Sequence, residues 1–344
     1  MTPTERGMWS RRSWSTWAGL VLAVGIVVAA TALAWRSGTT SSGRFQEIRL
    51  GEADIPVGIA VSNDGTVWFT LEGSNALGLL RNGQLNKLPK GVESVEPLGL
   101  AVDDGGRVWY TEAPKQRISR ASNDGSIASF PLATPVARLG RLAVAPDGDV
   151  WFAEASLVSV THLQDGRLTR HVLGSLAPPT PMDAAPFGIA VSPEGDVWAT
   201  IPNANKLLRI SPAGEKTAFD VPTRGSGLGD VAVGSGGVVW FLEIAANKIG
   251  RFAGGRFEEF PVPTPGAGLT ALAVAPDGAA WFTELRGHRL GRVHAGAIIE
   301  FVLPRADARP FGITVDAGNT VWYTDLSGWL GRLDASHART RERR

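Results

Sequence analysis

Carboxylate side chains recur at one position of a motif that the chain repeats seven times, three residues after a tryptophan. A ring of such carboxylates would suit a hard cation such as magnesium or calcium, and a single carboxylate could take part in acid–base chemistry. The position carries an acid in five copies and an apolar residue in two, in the order Leu71, Glu112, Glu154, Ile201, Glu243, Glu284 and Asp325.

A histidine lies close to one of these acids. Glu284 and His288 fall in the same predicted turn, where they could supply a carboxylate and a general base to one reaction. The competing interpretation is structural, because His288 takes the place that asparagine has in other copies, at Asn205 and Asn247, and such a residue can cap the turn. The sequence leaves both interpretations open.

The spacing of the tryptophans shows which elements must position these groups. The tryptophans stand at 68, 109, 151, 198, 240, 281 and 322, so the steps are 41, 42, 47, 42, 41 and 41 residues. A period near 42 residues is typical of propellers and solenoids. Each copy holds four short runs separated by turn residues, and no stretch after residue 42 has helical spacing. The predicted fold class is therefore all-β, a seven-bladed β-propeller of four-stranded antiparallel blades.

The two ends of the repeat array complement each other. The last copy has no fourth strand of its own, but residues 43–50, GRFQEIRL, resemble the fourth-strand segment GRFEEFPV at 255–262. We expect residues 43–50 to complete the last blade, because this pairing removes the edges that an open array would expose. The propeller is thus predicted to span residues 43–334.

The first and second strands of a blade are antiparallel, so the first begins where the second ends. The acids should therefore share one mouth of the propeller with the residue that begins each first strand, and an apolar funnel ringed by five carboxylates is predicted. Salt bridges are the alternative, since Arg117, Lys248 and Arg289 each follow an acid by a few residues. The residues that begin the first strands are Val57, Leu98, Gly140, Phe187, Gly229, Thr270 and Phe311.

The composition changes before and after the propeller. Residues 1–16 form a basic segment expected in the cytoplasm, and residues 17–35 are uncharged over about 28 Å of helix, which is enough to cross a bilayer. Residues 36–42 are predicted to form a linker, and residues 335–344 are predicted to form a basic disordered tail. The prediction is a single-pass protein of the inner or cytoplasmic membrane with an extracytoplasmic propeller. The alternative is a cleaved signal peptide, with Ala32 and Ala34 at the cleavage site, and secretion.

Charge and cysteine content exclude some functions. The chain has a net charge of +1, and residues 1–42 and 335–344 each contribute +3, which leaves −5 on the propeller. A negative propeller argues against nucleic acid as a partner. The chain has no cysteine, which excludes thiol nucleophiles and disulfides. We expect a monomer whose partners are the membrane and either a small ligand or an envelope protein.

The repeats resemble those of the streptogramin B lyases, also called virginiamycin B lyases. The segments that carry the resemblance are PFGIAVSPEGDVWAT, WFTELRGHRLGRV and NKIGRFAGGRFEEFPVPTP, and the likeness extends over all seven copies. It implies a seven-bladed propeller and an enzyme that opens a cyclic depsipeptide by magnesium-assisted elimination at its ester bond. The repeat pattern is specific for the fold and much less so for the activity.

The family's functional residues are largely replaced in this chain. The resemblance implies a histidine base where Phe311 stands, a substrate-contacting histidine where Thr270 stands, and a metal-binding glutamate where Arg309 stands. Only the acid of the last copy is kept, as Asp325. Phenylalanine cannot accept a proton and arginine cannot hold magnesium, so the sequence predicts a propeller that binds a ligand or partner without the lyase chemistry.

Two sets of site residues follow from these interpretations. Ligand binding is predicted for Phe187, Thr270, Arg309 and Phe311. The alternative function is a metal-assisted carbon–oxygen lyase or a lactone hydrolase. In that case Asp325 and Glu284 would bind magnesium or calcium, and Glu284 and His288 would be the catalytic residues.

Overall fold

The computed structural model describes residues 39–42, 44–89, 99–132, 139–173 and 185–334. The predicted cytoplasmic segment 1–16, the membrane or signal helix 17–35, the tail 335–344 and Leu98 lie outside these residues. Within the described ranges, no helix combines the length and the apolar character needed to cross a bilayer.

In the described ranges, twenty-nine strands form seven sheets. Blade 1 holds β3 (Pro56–Val61), β4 (Val67–Leu71), β5 (Ala76–Arg81) and β6 (Gln84–Pro89); blade 2 holds β7 (Leu100–Val102), β8 (Val108–Glu112), β9 (Arg117–Ala121) and β10 (Ile127–Pro131). Blade 3 holds β11 (Leu139–Val144), β12 (Val150–Glu154), β13 (Ser159–Gln164) and β14 (Arg167–Val172); blade 4 holds β15 (Ile189–Val191), β16 (Val197–Ile201), β17 (Lys206–Ile210) and β18 (Lys216–Asp220). Blade 5 holds β19 (Leu228–Val233), β20 (Val239–Glu243), β21 (Lys248–Ala253) and β22 (Arg256–Pro261); blade 6 holds β23 (Leu269–Val274), β24 (Ala280–Glu284), β25 (Arg289–His294) and β26 (Ala297–Val302). Blade 7 holds β27 (Pro310–Val315), β28 (Val321–Asp325), β29 (Trp329–Leu333), β2 (Phe45–Arg49) and β1 (Thr39–Ser42).

The first strands of the blades form the inner ring. Each first strand contacts the first strand of the next blade, and β27 of blade 7 contacts β3 of blade 1, so the ring is closed. The pairing within every blade is antiparallel. The prediction of an all-β, seven-bladed propeller is confirmed.

The seventh blade joins the two ends of the array. Strand β2 pairs with β29, with Phe45 opposite Leu333 and Ile48 opposite Leu330. This pairing is the one that the likeness between residues 43–50 and 255–262 predicts. The linker prediction needs correction for its last residues, because 39–42 form β1 and pair with β2 to give blade 7 a fifth strand. The added strand satisfies backbone groups that β2 would otherwise expose at an edge.

Threonine hydroxyls connect neighbouring blades at the start of the inner strands. Thr283 lies 2.9 Å from the carbonyl of Phe311 in the next blade, and Thr324 lies 2.6 Å from the carbonyl of Val57. The same hydroxyls accept the N–H of Ala271 and Gly312 in their own blades. These bonds hold the residues that begin the inner strands in defined positions.

Glycines of the third strands explain part of the repeated motif. A Cβ on Gly250 would lie 2.2 Å from the ring of Phe241, and one on Gly291 would lie 2.0 Å from the ring of Phe282. The glycine of the N-K-I-G-R pattern therefore makes room for an aromatic ring of the second strand. The ring is buried completely at both places.

Candidate functional site

One mouth of the propeller is formed where the first strands begin and the second strands end. Pro310 pairs with Asp325, and Leu269 pairs with Glu284, as expected for antiparallel strands. The inner strands of blades 1, 3, 5, 6 and 7 have a register shift just after these pairs, so the two following residues sit in a bulge. A bulge changes the direction of the side chains that it contains.

The five acids are completely buried and do not form a rim around this mouth. Arg117 Nη2 lies 2.7 Å from Glu112, and Arg170 Nε lies 2.8 Å from Glu154. These carboxylates bind side chains of the third and fourth strands of their own blades. The expected ring of exposed carboxylates is therefore wrong, because the last side chain of a second strand packs against its own blade and not toward the axis.

The salt-bridge interpretation holds in blade 2 but not in blades 5 and 6. Lys248 pairs with Glu259 at 2.8 Å, and Arg289 lies 3.7 Å from Glu300. The carboxylate oxygens of Glu243 and Glu284 are left without hydrogen-bond partners among the described residues. Blades 5 and 6 thus each hold one buried and one half-buried carboxylate beside one base.

The surroundings of Glu243 and Glu284 raise the pKa of both carboxyl groups above that of an exposed glutamate. Burial, with the charge of Glu259 as a second cause, raises the pKa of Glu243 to about 7. Burial and the charge of Glu300 raise the pKa of Glu284 to about 8. A buried carboxyl group with a raised pKa can be a functional residue, but it can equally be a structural one.

Asp325 is held by positive and neutral donors. Arg305 Nη2 lies 2.5 Å from Oδ2, which also accepts the N–H of Arg309 at 2.9 Å. Oδ1 accepts the N–H of Ser327 at 2.8 Å and the hydroxyl of the same residue. Arg305 also binds Glu47 at 3.0 Å, so one guanidinium joins β2 to the end of β28.

With these contacts in place, Asp325 is not arranged to bind magnesium. Both carboxylate oxygens of Asp325 already accept hydrogen bonds, and the guanidinium of Arg305 already supplies a positive charge beside them. Glu284 is not among the contacts of Asp325. Over the described ranges, no group of three or more His, Asp and Glu side chains is placed to hold a metal ion. The metal-ligand assignment of Asp325 and Glu284 remains a prediction that only a binding measurement can test.

His288 has the geometry of a capping residue. Its φ is 54°, its Nδ1 is hydrogen-bonded with the carbonyl of Ala308, and its own carbonyl accepts the N–H of Leu303 at 3.1 Å. Asn247 has a φ of 55° and donates its amide to Val262 and Thr264 in the same way. The structure places His288 as a substitute for asparagine in this turn, and no bond to Glu284 accompanies it.

The predicted ligand-binding residues lie at the mouth. Phe187 and Phe311 are half-buried, and Arg309 is exposed. The hydroxyl of Thr270 lies 2.8 Å from the carbonyl of Phe311 and 2.7 Å from Thr283 Oγ1, so it is engaged within the ring. Ile244 adds an apolar surface, since a Cβ on Gly229 would lie 2.5 Å from its Cδ1. Ile244 is 40% exposed.

An arginine connects inner strands of three blades across the central channel. Arg141 Nε of β11 lies 3.1 Å from Asp230 Oδ1 of β19, and its Nη2 lies 3.1 Å from the carbonyl of Thr270 in β23. Asp230 also accepts the N–H of Leu272 at 3.0 Å. Burial raises the pKa of Asp230 even though Arg141 opposes this shift.

The sequence carries a signal for this pair that the repeat analysis missed. The second residue of the inner-strand motif is small and uncharged in five copies, whereas two copies carry opposite charges. In chain order the position reads Gly58, Gly99, Arg141, Gly188, Asp230, Ala271 and Gly312.

The comparison with known families agrees with the blade count and with the repeat motifs. The family model described as "Virginiamycin B lyase family" matches residues 36–177 and 164–341, which together cover most of the chain. The chain belongs to this family. The virginiamycin B lyase resemblance predicted from the repeat motifs is thereby confirmed.

One virginiamycin B lyase is similar to this chain at moderate sequence identity. A virginiamycin B lyase of Nocardia farcinica (strain IFM 10152) is 34% identical over 197 residues, which are 57% of this chain and 65% of that protein. The match thus spans less than two thirds of that relative.

Two crystal structures extend the comparison over most of the propeller. The virginiamycin B lyase of Staphylococcus aureus is 29% identical, with a TM-score of 0.77 over 84% of this chain and 98% of that one. A catalytically inactive variant of the same enzyme, crystallised with quinupristin, has a TM-score of 0.78 at 29% identity over the same shares of the two chains.

Proposed function

We propose that this protein is a streptogramin-lyase-like propeller that binds a small ligand at its apolar mouth without the lyase chemistry of its family. The observation that carries the proposal is the surface formed by Phe187, Ile244 and Phe311. These side chains remain partly exposed, whereas the residues at the start of the other inner strands that the structure describes, Val57, Gly140, Gly229 and Thr270, are small or buried. Partly exposed apolar side chains in a concave site favour binding of an apolar group.

The residues at the family's catalytic positions support the loss of the reaction. By resemblance, Phe311 takes the place of the histidine base and Thr270 that of the substrate-contacting histidine. Phe311 has no group that can accept a proton, and the hydroxyl of Thr270 is engaged within the ring. Arg305 forms an ion pair with the carboxylate of Asp325, the one acid that the family pattern keeps.

Family membership favours a second candidate function, a metal-assisted carbon–oxygen lyase or a lactone hydrolase. Glu284 is the residue that suits it best, because a carboxyl group with a pKa of about 8 is partly protonated at neutral pH and can donate a proton. His288 and Asp325 would have to leave their present contacts to take part. A third function, as an interaction module of an envelope complex, would need a protein partner.

Cellular location is part of the proposal. The uncharged segment 17–35 would anchor the chain in the cytoplasmic membrane, and the propeller would face the outside. Protease added to intact spheroplasts should then cleave the propeller, and the protein should sediment with membranes. Recovery of a shortened protein from the medium would indicate the secreted alternative.

The deciding experiment separates binding from catalysis. The full-length protein in detergent is incubated with quinupristin and millimolar magnesium, and the product is followed by mass spectrometry. Binding of 2-naphthylmethanol, a neutral apolar probe, is measured in parallel by saturation-transfer NMR on the wild type and on the F187A and F311A variants.

We expect intact quinupristin, together with probe binding that both substitutions weaken. Magnesium-dependent opening of quinupristin that D325N abolishes would overturn the proposal in favour of the lyase. If the probe does not bind and quinupristin stays intact, ligand binding at the mouth is wrong.

A further inference from the structure

The sector of the mouth formed by blades 5 to 7 presents arginine side chains to solvent. Arg224 precedes β19, Arg286 lies in the turn between β24 and β25, and Arg309 precedes β27. All three are exposed. Among the described residues, none of these guanidinium groups has an ion pair or a side-chain hydrogen bond.

The carboxylates near this sector are already engaged or buried. Asp230 faces Arg141, and Asp307 and Asp325 bind Arg305 at 3.0 and 2.5 Å. Glu243 and Glu284 are completely buried between strands. The sector therefore presents to solvent three guanidinium groups without ionic partners, beside one exposed carboxylate, Asp307, that shares Arg305 with Glu47 and Asp325.

Two of the arginines lie close to the first residues of neighbouring inner strands, Thr270 and Phe311. A Cβ on Gly268 would lie 2.9 Å from Arg286 Cγ, so the stem of Arg286 lies over a glycine two residues before Thr270. Arg309 lies two residues before Phe311, and its carbonyl accepts the N–H of Leu326 at 3.0 Å. The corresponding carbonyl of Gly268 accepts the N–H of Leu285 at 2.9 Å. Arg286 and Arg309 thus belong to neighbouring blades whose inner strands β23 and β27 are in contact.

A ligand that covers Phe311 would also approach these two guanidinium groups. Removing a charge from water is unfavourable unless an opposite charge takes the place of the water. Guanidinium groups bind carboxylates through paired hydrogen bonds, which makes them selective for that group. Arg141 does not provide a further free charge, because it is paired with Asp230.

We propose that the ligand of this mouth is an apolar compound that carries a carboxylate, with the carboxylate between Arg286 and Arg309 and the apolar part on Phe311. This inference rests on the proposed function, since it specifies the ligand of the same site. It adds the charge of the ligand, a further binding residue, Arg286, and a selective role for Arg309.

Three probes with one apolar body test the proposal. They are 2-naphthoate, 2-naphthylmethanol and 2-naphthylmethylamine, which are anionic, neutral and cationic at pH 7. Their affinities for the full-length protein are measured by isothermal titration calorimetry at low and high salt. The variants are R286E and R309E, and the matched control is R256E, an exposed arginine of β22 on the outer strand of blade 5.

We expect 2-naphthoate to bind about tenfold more tightly than the alcohol, which corresponds to one good charged contact. R286E and R309E should each remove this preference, R256E should keep it, and added salt should reduce it. Binding of all three probes with equal affinity would overturn the inference while leaving the proposed function intact. Absence of binding by any probe would overturn both.

Discussion

Arg305 Nη2 lies 2.5 Å from Asp325 Oδ2, at the acid that the sequence singles out as a metal ligand. The same guanidinium lies 3.0 Å from Glu47 of the strand that closes the propeller. A side chain of the loop before β27 therefore supplies the positive charge between two buried carboxylates, and it connects the first and last parts of the propeller.

Replacing Arg305 by methionine should destabilise the propeller strongly. Glu47 and Asp325, exposed by 1% and 0%, would lose their counter-charge, and a broken buried ion pair costs about 3–5 kcal/mol of unfolding free energy. Urea denaturation followed by circular dichroism measures the change. The matched control R309M alters an exposed side chain and should stay within about 0.5 kcal/mol of the wild type. Equal losses in the two variants would contradict the role given to Arg305.

The stability of the propeller should fall as the pH rises through neutrality. Glu284 has a pKa of about 8 in the folded state and an ordinary value of 4.5, so the folded state binds more protons between these two values. The free energy of unfolding then decreases with pH in this window, by at most about 1.4 kcal/mol per pH unit for one group. Glu243 should act in the same direction between 4.5 and about 7.

The E284Q variant isolates the contribution of that residue. It should match the wild type near pH 4, where both side chains are neutral, and it should be the more stable protein at pH 8. The control E112Q removes a carboxylate that is paired with Arg117 and should not be stabilised at pH 8. Denaturation midpoints at five pH values provide the measurement. An E284Q curve parallel to that of the wild type would count against a raised pKa.

The ion pair across the channel should be energetically coupled. A double-mutant cycle with R141M and D230N should give an interaction energy of about 0.5–3 kcal/mol, because Asp230 has a side-chain exposure of only 7%. The comparison pair, Arg209 and Asp196, has exposures of 42% and 17%, and its cycle should give less than about 1 kcal/mol. A coupling close to zero for Arg141 and Asp230 would show that the channel pair has little role in stability.

His288 should tolerate asparagine and not valine. Asn205 and Asn247 adopt the same left-handed conformation, so H288N should keep the turn. Valine at a φ of 54° is strained and cannot form the hydrogen bond of Nδ1 with Ala308, so H288V should lose about 1–3 kcal/mol of unfolding free energy even though Val158 adopts a φ of 51° at the equivalent position of blade 3. Thermal unfolding and any lactone-opening activity are measured on both variants. Loss of such an activity in a stable H288N protein would favour the catalytic interpretation.

Several features of the fold could be predicted because they depend on residues close together in the chain. The period near 42 residues comes from the tryptophan positions, and the four strands of a blade come from short apolar runs between turn residues. The closing strand was also predictable, since residues 43–50 resemble the fourth strand of blade 5. The fifth strand of blade 7 was not, because TTSS at 39–42 has no counterpart in the other repeats.

The candidate site was predicted only in part. Phe187, Thr270, Arg309 and Phe311 were placed at one mouth by the antiparallel order of the first two strands. The five acids were placed at the correct strand ends, but the direction of their side chains was wrong. Alternation along a strand does not show whether the last side chain points to the axis or to its own blade.

The sequence by itself determined the repeat, the number of blades, the strand that closes the ring and the residues at the mouth. These properties follow from local patterns and from the repetition of one unit. The tertiary structure decided that the acids are buried, that Arg305 forms an ion pair with Asp325 and that Arg141 forms one with Asp230 across the channel. Those contacts join residues far apart in sequence, 129 positions in the case of Arg141 and Thr270, and several arise at bulges where the alternation of side chains is interrupted. Closure of the ring brings Arg141 within bonding distance of Asp230 and Thr270.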